Sequence, residues 1–379
     1  MMDLFYGRME VWIIVEGEIF MKIIHCGDVH LDSAMKTNLA SEQAKERNNE
    51  ILLTLTKMVE YAKSNAVRVV MIAGDLFDTK NVSVKTRNVV KDCIFNNPQI
   101  DFLYLKGNHD ANNFLDGLEE IPNNLKLFSD KWSSYRYDNV VVTGVELDEN
   151  NSNTVYSSLI LNKNDINIVL MHGQESQYSS KDKTETINLG ALKNKNVDYL
   201  ALGHIHTYKE NALDQRGIYC YCGCLEGRGY DECGAKGFVL LNTDSGQLEH
   251  KFVEFSRRVI YDIQADVSNM NTTNEVDAVI GHATDGISRD SLVKIGLTGN
   301  VSVDSERNIS YLSKKYNDYF FSFKIYDQTK LAVNIEDYRY DASLRGEFIR
   351  LVLQQNYTEQ EKKEVIETGL KALVGEEIE

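Results

Sequence analysis

Five short polar segments each follow an apolar run that predicts a β-strand, and this arrangement constrains the fold of the 379-residue chain more than any other feature. The segments consist almost entirely of Asp, His, Asn and Gly. They are Asp28-Val-His30, Gly74-Asp75, Gly107-Asn-His-Asp110, His172-Gly173 and Gly203-His-Ile-His206. Open α/β sheets place their functional sites at the carboxyl ends of the strands. The pattern therefore predicts a sheet fold that gathers these side chains at one edge.

The residue types in these segments indicate a metal site. Asp, His and Asn supply oxygen and nitrogen ligands that suit Mn²⁺, Fe²⁺ or Zn²⁺ rather than a thiolate site. Glycine beside them lets the backbone turn sharply and approach closely. A carboxylate shared by two ions holds them about 3.5–4 Å apart, a spacing at which the ions polarise a phosphate and activate a water molecule.

Residues 21–256 are predicted to form a mixed α and β domain. Apolar runs with little alternation predict strands buried on both faces, and a helix is predicted over residues 41–65. The predicted strands cover residues 21–25, 67–73, 101–105, 140–144, 168–171 and 199–202. Residues 218–222, 237–242 and 251–255 are predicted to be antiparallel strands, because Gly-rich and polar turns separate them.

Two smaller regions follow: a small α/β domain over residues 257–335 and a helical tail over residues 336–379. In the tail, Thr358 and Glu361 predict a capping box at the start of the second of two helices. The residues predicted to share an apolar face are Leu344, Phe348, Leu351 and Val352 on the first helix and Ile366, Leu370 and Leu373 on the second. These stripes pack either on the chain's own second region or on another protein.

The net charge of −16 argues against a protein that simply coats nucleic acid, because that affinity comes from Lys and Arg. A polyanionic substrate must meet a local positive centre, and metal ions would supply it. Residues 1–20 are too acidic and too short in their apolar run for a signal peptide or a membrane span. We interpret them as a mis-assigned start, with Met21 as the initiator, or as an N-terminal extension.

Several polar residues outside the five segments are predicted to be structural. His25 lies on the buried first strand, His250 and His282 are expected at the surface, and Asp78 is expected to stabilise a turn. Cys220, Cys222, Cys224 and Cys233 lack the spacing of zinc-binding pairs. Arg228 is expected in a surface loop, with a phosphate contact as the alternative. The six cysteines, without a secretory signal, predict reduced thiols in a cytoplasmic protein.

The order Asp-x-His, Gly-Asp, Gly-Asn-His-Asp, His-Gly, Gly-His-x-His resembles that of the calcineurin-like metallophosphoesterases over residues 21–255. The resemblance implies an α+β fold, a four-layer αββα sandwich with a small capping domain and a helical tail. It further implies a two-metal phosphodiesterase, with Mn²⁺ as the expected ion and Fe²⁺ or Zn²⁺ as alternatives.

The resemblance also assigns roles to individual residues. Asp28, His30 and His206 would hold one ion, Asn108, His172 and His204 the other, and Asp75 would bridge the two. A hydroxide between the ions would attack phosphorus. His109 would stabilise charge or protonate the leaving group, and Asp110 would orient the His109 imidazole.

The sequence around Asp28 and Asp75 resembles that of the double-strand-break repair nuclease branch, with its bacterial SbcD-type and YhaO-like members. This implies a DNA exonuclease with some endonuclease activity, acting in DNA repair. An SbcC-like coiled-coil ATPase would dock on the tail, and the catalytic domain would form a homodimer. In some relatives a histidine stands where this chain has Asp78. The alternative is a small-substrate phosphoesterase that acts on nucleotides or phosphomonoesters.

Overall fold

The computed structural model describes residues 21–35, 39–79, 81–110, 120–176, 186–243 and 246–373. The interpretation of residues 1–20 therefore lies outside the described residues. The described chain forms two compact units. The first unit comprises residues 21–34, 41–226 and 236–257, and the second comprises residues 35–40, 227–235 and 258–373, with the gaps given above.

The first unit is built mainly of strands. Its described strands are β1 (Lys22–Cys26), β2 (Val67–Ala73), β3 (Asp101–Leu105), β4 (Leu125–Leu127), β5 (Ser133–Tyr137), β6 (Val140–Gly144), β7 (Ile166–His172), β8 (Gln174–Ser176), β9 (Thr186–Asn188), β10 (Tyr199–Gly203), β11 (Lys209–Ala212), β12 (Ile218–Tyr221), β13 (Gly237–Asn242) and β14 (Glu249–Glu254). Its described helices are α1 (Ser41–Ser64), α2 (Val84–Phe95), α3 (Leu189–Leu192) and a 3₁₀ helix, Val155–Ser158.

Two six-stranded sheets organise this unit. The first has the order β14-β13-β1-β2-β3-β4, and the second has the order β11-β12-β10-β7-β6-β5. The central strands β1, β2 and β3 are parallel in the first sheet, and β6, β7, β10 and β12 are parallel in the second. Parallel strands buried on both faces have the continuous apolar sequences seen here.

The burial of apolar side chains shows how the sheets and helices of the first unit are layered. Ile23, Met71, Leu170 and Ala201 belong to one core that draws on both sheets. Helix α1 packs against α2 and β2. A second core contains residues of β7 and β10 together with residues of α3 and the 3₁₀ helix. The arrangement confirms the predicted α+β class and the αββα sandwich.

The antiparallel prediction for residues 218–222 is confirmed on one side of the strand only, because β12 lies parallel to β10 in the second sheet. Strand β11 supplies the antiparallel neighbour of β12, whereas β13 and β14 pair with each other in the first sheet. Turn residues mark where a strand ends, but they do not identify which sheet the next strand joins.

The second unit is a small α/β domain. Its described elements are β15 (Ile260–Asp266), α4 (Thr273–Ala283), β16 (Leu292–Thr298), β17 (Asn300–Val301), α5 (Ile309–Asn317), β18 (Ser322–Asp327), β19 (Lys330–Leu331), a 3₁₀ helix (Ile335–Tyr338), α6 (Leu344–Leu353) and α7 (Glu359–Leu373). Strands β15, β16 and β18 form a parallel sheet. None of the described helices of either unit combines the length and the apolar character that crossing a membrane requires.

The two tail helices contribute to the core of the second unit. Ile349 and Val352 of α6 and Ile366 and Leu370 of α7 are buried with side chains of its sheet. The capping box is confirmed, because the Thr358 N–H donates to the Glu361 carboxylate at 2.7 Å and the Glu361 N–H donates to the Thr358 hydroxyl at 3.2 Å.

The predicted apolar face of α6 is partly wrong. Leu344 is 71% exposed and Leu351 is 51% exposed, whereas Ile349, which was left out of the stripe, is buried. Apolar residues cover more than one face of this helix, so the sequence pattern alone does not identify which side meets the core.

His25 lies in the core between the two sheets, as predicted. Its side chain is fully buried on β1, and its Nδ1 lies 2.9 Å from the hydroxyl of Tyr199 on β10. Burial lowers the pKa of His25 to about 3, although a backbone hydrogen bond at Leu202 acts in the opposite direction. The folded protein therefore keeps His25 neutral at pH values where an unfolded chain protonates it.

We predict that His25→Gln reduces the loss of stability in mild acid. The unfolded histidine takes up a proton below about pH 6.5 and the folded one does not, so the wild type should lose up to about 1.4 kcal/mol per pH unit from this group. Gln can bond the Tyr199 hydroxyl but does not titrate. Urea denaturation between pH 7.5 and 5 measures the difference, with the exposed His282→Gln as control. Equal slopes for His25→Gln and wild type would contradict the prediction.

Candidate metal centre

The polar segments follow strands of both sheets and lie together at the carboxyl ends of these strands. Asp28 and His30 follow β1, and Asp75 follows β2, its parallel neighbour. His172 ends β7, and His206 lies in the loop after β10, which is parallel to β7. Because adjacent parallel strands end at the same edge, side chains that are far apart in sequence come together here.

The backbone at this edge adopts an unusual conformation. Asp28, His30 and Asp75 have φ angles of +49°, +48° and +50°, and His204 has a φ angle of +103°. Non-glycine residues in this region cost of order 1–3 kcal/mol each, and they cluster at functional sites. Gly74 has a φ angle of +86°, and a Cβ there would lie 2.2 Å from His172 Nδ1, so only glycine fits.

Three groups of potential ligand atoms are found among the described residues, one of which consists of His30, Asp78 and His109. The other two share the carboxylate of Asp28. Atoms of Asp28, His30 and His206 lie within 4.8 Å of one another, and so do atoms of Asp28, Asp75 and His172. Asp28 is buried, and both of its oxygens lie 2.9 Å from the His204 N–H, which donates to them. Burial raises the pKa of Asp28 to about 6, and the charge of Asp75 adds to this rise, which the nearby imidazoles oppose.

Asp75 reaches the histidines of both groups. Its Oδ2 lies 3.8 Å from His30 Nε2 and 3.4 Å from His172 Nε2, and its Oδ1 accepts the His109 N–H at 2.9 Å. Burial by itself would raise the pKa of Asp75, but the hydrogen bond and the charge of His172 outweigh burial and lower the pKa to about 2. Asp75 therefore lies between His30 and His172.

The remaining predicted ligands lie beside His172. Asn108 Oδ1 is 3.2 Å from His172 Nε2. The His204 ring stands edge-on to the His172 ring, with centroids 5.4 Å apart. Among the described residues, the His204 ring nitrogens are not part of the donor groups that lie within 4.8 Å. Its backbone N–H on Asp28 is the closer connection to the site.

His109 stands at the rim of the centre. Its side chain is 47% exposed, and its ring lies edge-on to that of His30, with centroids 5.2 Å apart. The Asp110 oxygens accept the backbone N–H groups of Phe77 at 2.8 Å and Gly107 at 2.9 Å. Asp110 thus fixes the loops that carry Asp75 and Asn108.

The Asp78 carboxylate lies beside the rings of two site histidines. Its Oδ1 lies 2.9 Å from His30 Nδ1 and 3.6 Å from His109 Nδ1. The expected turn role of Asp78 stays a prediction, and its side chain in addition has these two contacts. Two sequence signals mark it: its position three residues after Asp75, and the histidine that some relatives have at this position.

The cysteines, Arg228, His250 and His282 do not belong to the donor groups found among the described residues. All six cysteines are free, and the donor groups found among the described residues contain none of them. Arg228 pairs with Glu232 of its own loop at 2.6 Å. His250 lies 2.7 Å from a Glu210 carboxylate oxygen, and His282 is exposed.

The donor set fits divalent cations. His30 Nδ1 donates a hydrogen bond to the Asp78 carboxylate, so the ring proton is on Nδ1 and Nε2 has a free lone pair. That Nε2 faces His206 Nε2 at 3.1 Å. Two ring nitrogens this close, beside two buried carboxylates, form an oxygen and nitrogen site of the kind that Mn²⁺, Fe²⁺ or Zn²⁺ occupies.

Comparison with known proteins gives a consistent result. Residues 21–208 match the calcineurin-like phosphoesterase family. The chain is 26% identical over 239 residues to the DNA double-strand break repair protein Mre11 of Saccharolobus solfataricus, covering 58% of this chain and 60% of that protein. It is 24% identical over 251 residues to the uncharacterized metallophosphoesterase YhaO of Bacillus subtilis, covering 61% and 60%.

A third relative aligns over a longer stretch. The DNA double-strand break repair protein Mre11 of Sulfolobus acidocaldarius is 22% identical over 381 aligned positions, which cover 92% of this chain and 94% of that protein. The chain spans about three-fifths of the length of the other two relatives.

We predict that Asp78→Asn weakens binding of Mn²⁺ about tenfold or more. A carboxylate that orients a ligating histidine typically contributes 10–100-fold in metal affinity, and Asn keeps the shape of the side chain without its charge. Isothermal titration calorimetry with Mn²⁺ measures the effect. Asp138→Asn is the control, because Asp138 is an exposed aspartate between β5 and β6. Equal affinity of Asp78→Asn and wild type would show that Asp78 does not support the centre.

Proposed function

Residues 21–208 form a calcineurin-like metallophosphoesterase domain, and from this premise we propose that the protein is a DNA exonuclease, with endonuclease activity, that uses two Mn²⁺ ions. The observation that carries the proposal is the convergence of Asp28, His30, Asp75, His172 and His206 within two overlapping donor groups. Asn108 and His204, next to His172, are proposed to complete the second group.

The relatives support DNA as the substrate. Two of them are named DNA double-strand break repair proteins, and one of these aligns with 92% of this chain. The charge of −16 is compatible with DNA only if the phosphate meets a local positive centre, and divalent ions are the largest local charges such a site offers. We also propose a cytoplasmic location, since all six cysteines are free thiols.

The proposed chemistry divides between the ions and the chain. When bound, two divalent ions polarise a phosphodiester and lower the pKa of water. Asp75 would hold the two ligand groups together, since one of its oxygens faces the histidines of both. His109, at the exposed rim, would stabilise the charge that develops on the phosphate or protonate the leaving oxygen.

His109 needs a fixed orientation for this role. Its backbone N–H donates to Asp75 Oδ1 at 2.9 Å, which ties the main chain of the residue to the centre. We propose that Asp78, 3.6 Å from His109 Nδ1, orients the ring. Asp110 would act on the same loop through its bond to the Gly107 N–H rather than through the imidazole.

We predict that the protein degrades end-labelled duplex DNA with Mn²⁺ and not after chelation. His109→Ala should lower the rate by about 10²–10⁴-fold, the usual contribution of a general acid or base. It should leave the number of bound Mn²⁺ ions unchanged, because His109 is proposed to act on the substrate. His282→Ala, an exposed histidine of the second unit, is the control.

A chromogenic phosphodiester, tested in parallel, separates the alternatives. Metal-dependent cleavage of this ester without loss of DNA would favour the small-substrate phosphoesterase. Cleavage of neither substrate by protein that has bound Mn²⁺ would contradict a phosphoesterase role altogether. A full rate for His109→Ala would remove His109 from the mechanism and leave the metal centre intact.

We further propose that the tail docks on an SbcC-like coiled-coil ATPase. Leu344 and Leu351 of α6 are exposed, although Ile349 and Val352 of the same helix are buried. An apolar side of a helix that the described part of its own unit does not cover suits an interface with another helix. Such a partner would also contribute to the binding of DNA.

We predict that the pair Leu344→Glu and Leu351→Glu weakens binding to the purified ATPase of the same organism at least tenfold, or about 1.4 kcal/mol. Deletion from residue 342 onward is a poorer test, since it also removes Ile349 and Ile366 from the core. Ile160→Glu, at a site 90% exposed in the first unit, is the control. Unchanged affinity of the double variant would exclude this face.

A further inference from the structure

Lys236 is a buried lysine just before β13. Its side chain is 1% exposed, and its ammonium donates to the backbone carbonyl of His206 at 2.7 Å. Among the described residues, no carboxylate lies within 4 Å of this ammonium. Burial of a charged group without a counter-charge costs several kcal/mol. A buried lysine that bonds the main chain of a proposed ligand points to a role in that centre.

The main chain around Lys236 is fixed. The Lys236 carbonyl accepts the N–H groups of Phe255 at 2.9 Å and Ser256 at 3.2 Å. The following residue, Gly237, donates its N–H to the Cys224 carbonyl at 3.2 Å. The lysine side chain therefore extends from a rigid point toward the loop that carries His206.

The His206 carbonyl has three donors. Besides Lys236, the Cys224 N–H lies 3.3 Å away and the Cys224 Sγ lies 3.4 Å away. Gly223, with a φ angle of +73°, packs so closely beneath the loop that a Cβ would lie 2.9 Å from the Tyr208 nitrogen. The peptide group of His206 is thus held from one side, while its imidazole faces His30 on the other.

We propose that Lys236 is a positioning residue for His206. By bonding the His206 carbonyl, the ammonium fixes the backbone of the loop between β10 and β11, and so it sets the direction of the imidazole that joins Asp28 and His30. Lys236 does not itself contact the donor atoms. The inference rests on the proposed two-metal centre. It states that Lys236 supports the group formed by Asp28, His30 and His206 and not the group that contains His172.

The test is Lys236→Met, which keeps the length of the stem and removes the donor. Electron paramagnetic resonance during a Mn²⁺ titration counts the bound ions and detects coupling between them. We expect the wild type to bind two coupled ions. In the variant we expect one site, formed by Asp28, Asp75 and His172, to keep its affinity, and the other to weaken at least tenfold, with loss of the coupled signal.

Thermal unfolding of the metal-free proteins separates positioning from a structural role. Removal of a buried charge that has no counter-charge should leave the midpoint unchanged or raise it. Lys251→Met, an exposed lysine on β14, is the control and should bind Mn²⁺ as the wild type does. Cys224→Ala, which removes only the thiol donor to the same carbonyl, should show a smaller loss in the same site.

Three outcomes would overturn the inference. Two wild-type affinities with an unaltered coupled signal in Lys236→Met would exclude positioning, while the proposed metal centre would stand. A lower midpoint of the metal-free variant with equal weakening of both sites would make Lys236 a structural residue. Failure of the wild type itself to bind two ions would instead reject the proposed function, and with it the centre that Lys236 is proposed to support.

Discussion

The contact between His172 and Ala73 joins the two sheets at the end where the site lies. His172 Nδ1, at the end of β7, donates to the Ala73 carbonyl at the end of β2 at 2.9 Å. The approach is so close that a Cβ on Gly203 would lie 1.9 Å from the same carbonyl oxygen. Because this distance is fixed, Asp75 on the first sheet comes within 3.4 Å of His172 Nε2 on the second. A larger side chain at this junction would separate the donors that any bound ion needs.

Much of the first unit is predictable from sequence, because its central strands are buried on both faces. Such strands have continuous apolar runs, and the predicted bounds of β2 and β3 agree with the structure. The polar segments directly after them indicated the site for the same reason, since the end of each run shows where the edge of the sheet lies. The structure brings Asp28, Asp75 and His172 together there. The full set of seven ligands stays a prediction.

The residues that sequence reasoning missed are those whose roles depend on loop conformation. Asp78 reaches His30 across 48 positions of sequence and Lys236 reaches His206 across 30. Neither pair has a periodic or spacing signal, and a buried lysine is indistinguishable in sequence from an exposed one. The side of α6 that meets the core was not predicted for a related reason. The surrounding packing decides that Ile349 is buried and Leu351 is not. Local patterns predict elements, whereas contacts between loops require the assembled fold.

The electrostatics of the centre link metal affinity to protons. Burial would lower the pKa of His172, but its hydrogen bond to Asp75 and the charges of Asp28 and Asp75 raise it to about 9. Without ions, the buried carboxylates are therefore balanced by a protonated imidazole. An ion held by His172 would require the neutral ring, so its binding would release that proton, and protons and ions would compete for the same atoms. The left-handed backbone at Asp28, His30 and Asp75 adds a conformational cost. Occupancy by ions then stabilises the folded state against both costs, because an ion that binds only the folded protein shifts the unfolding equilibrium toward it.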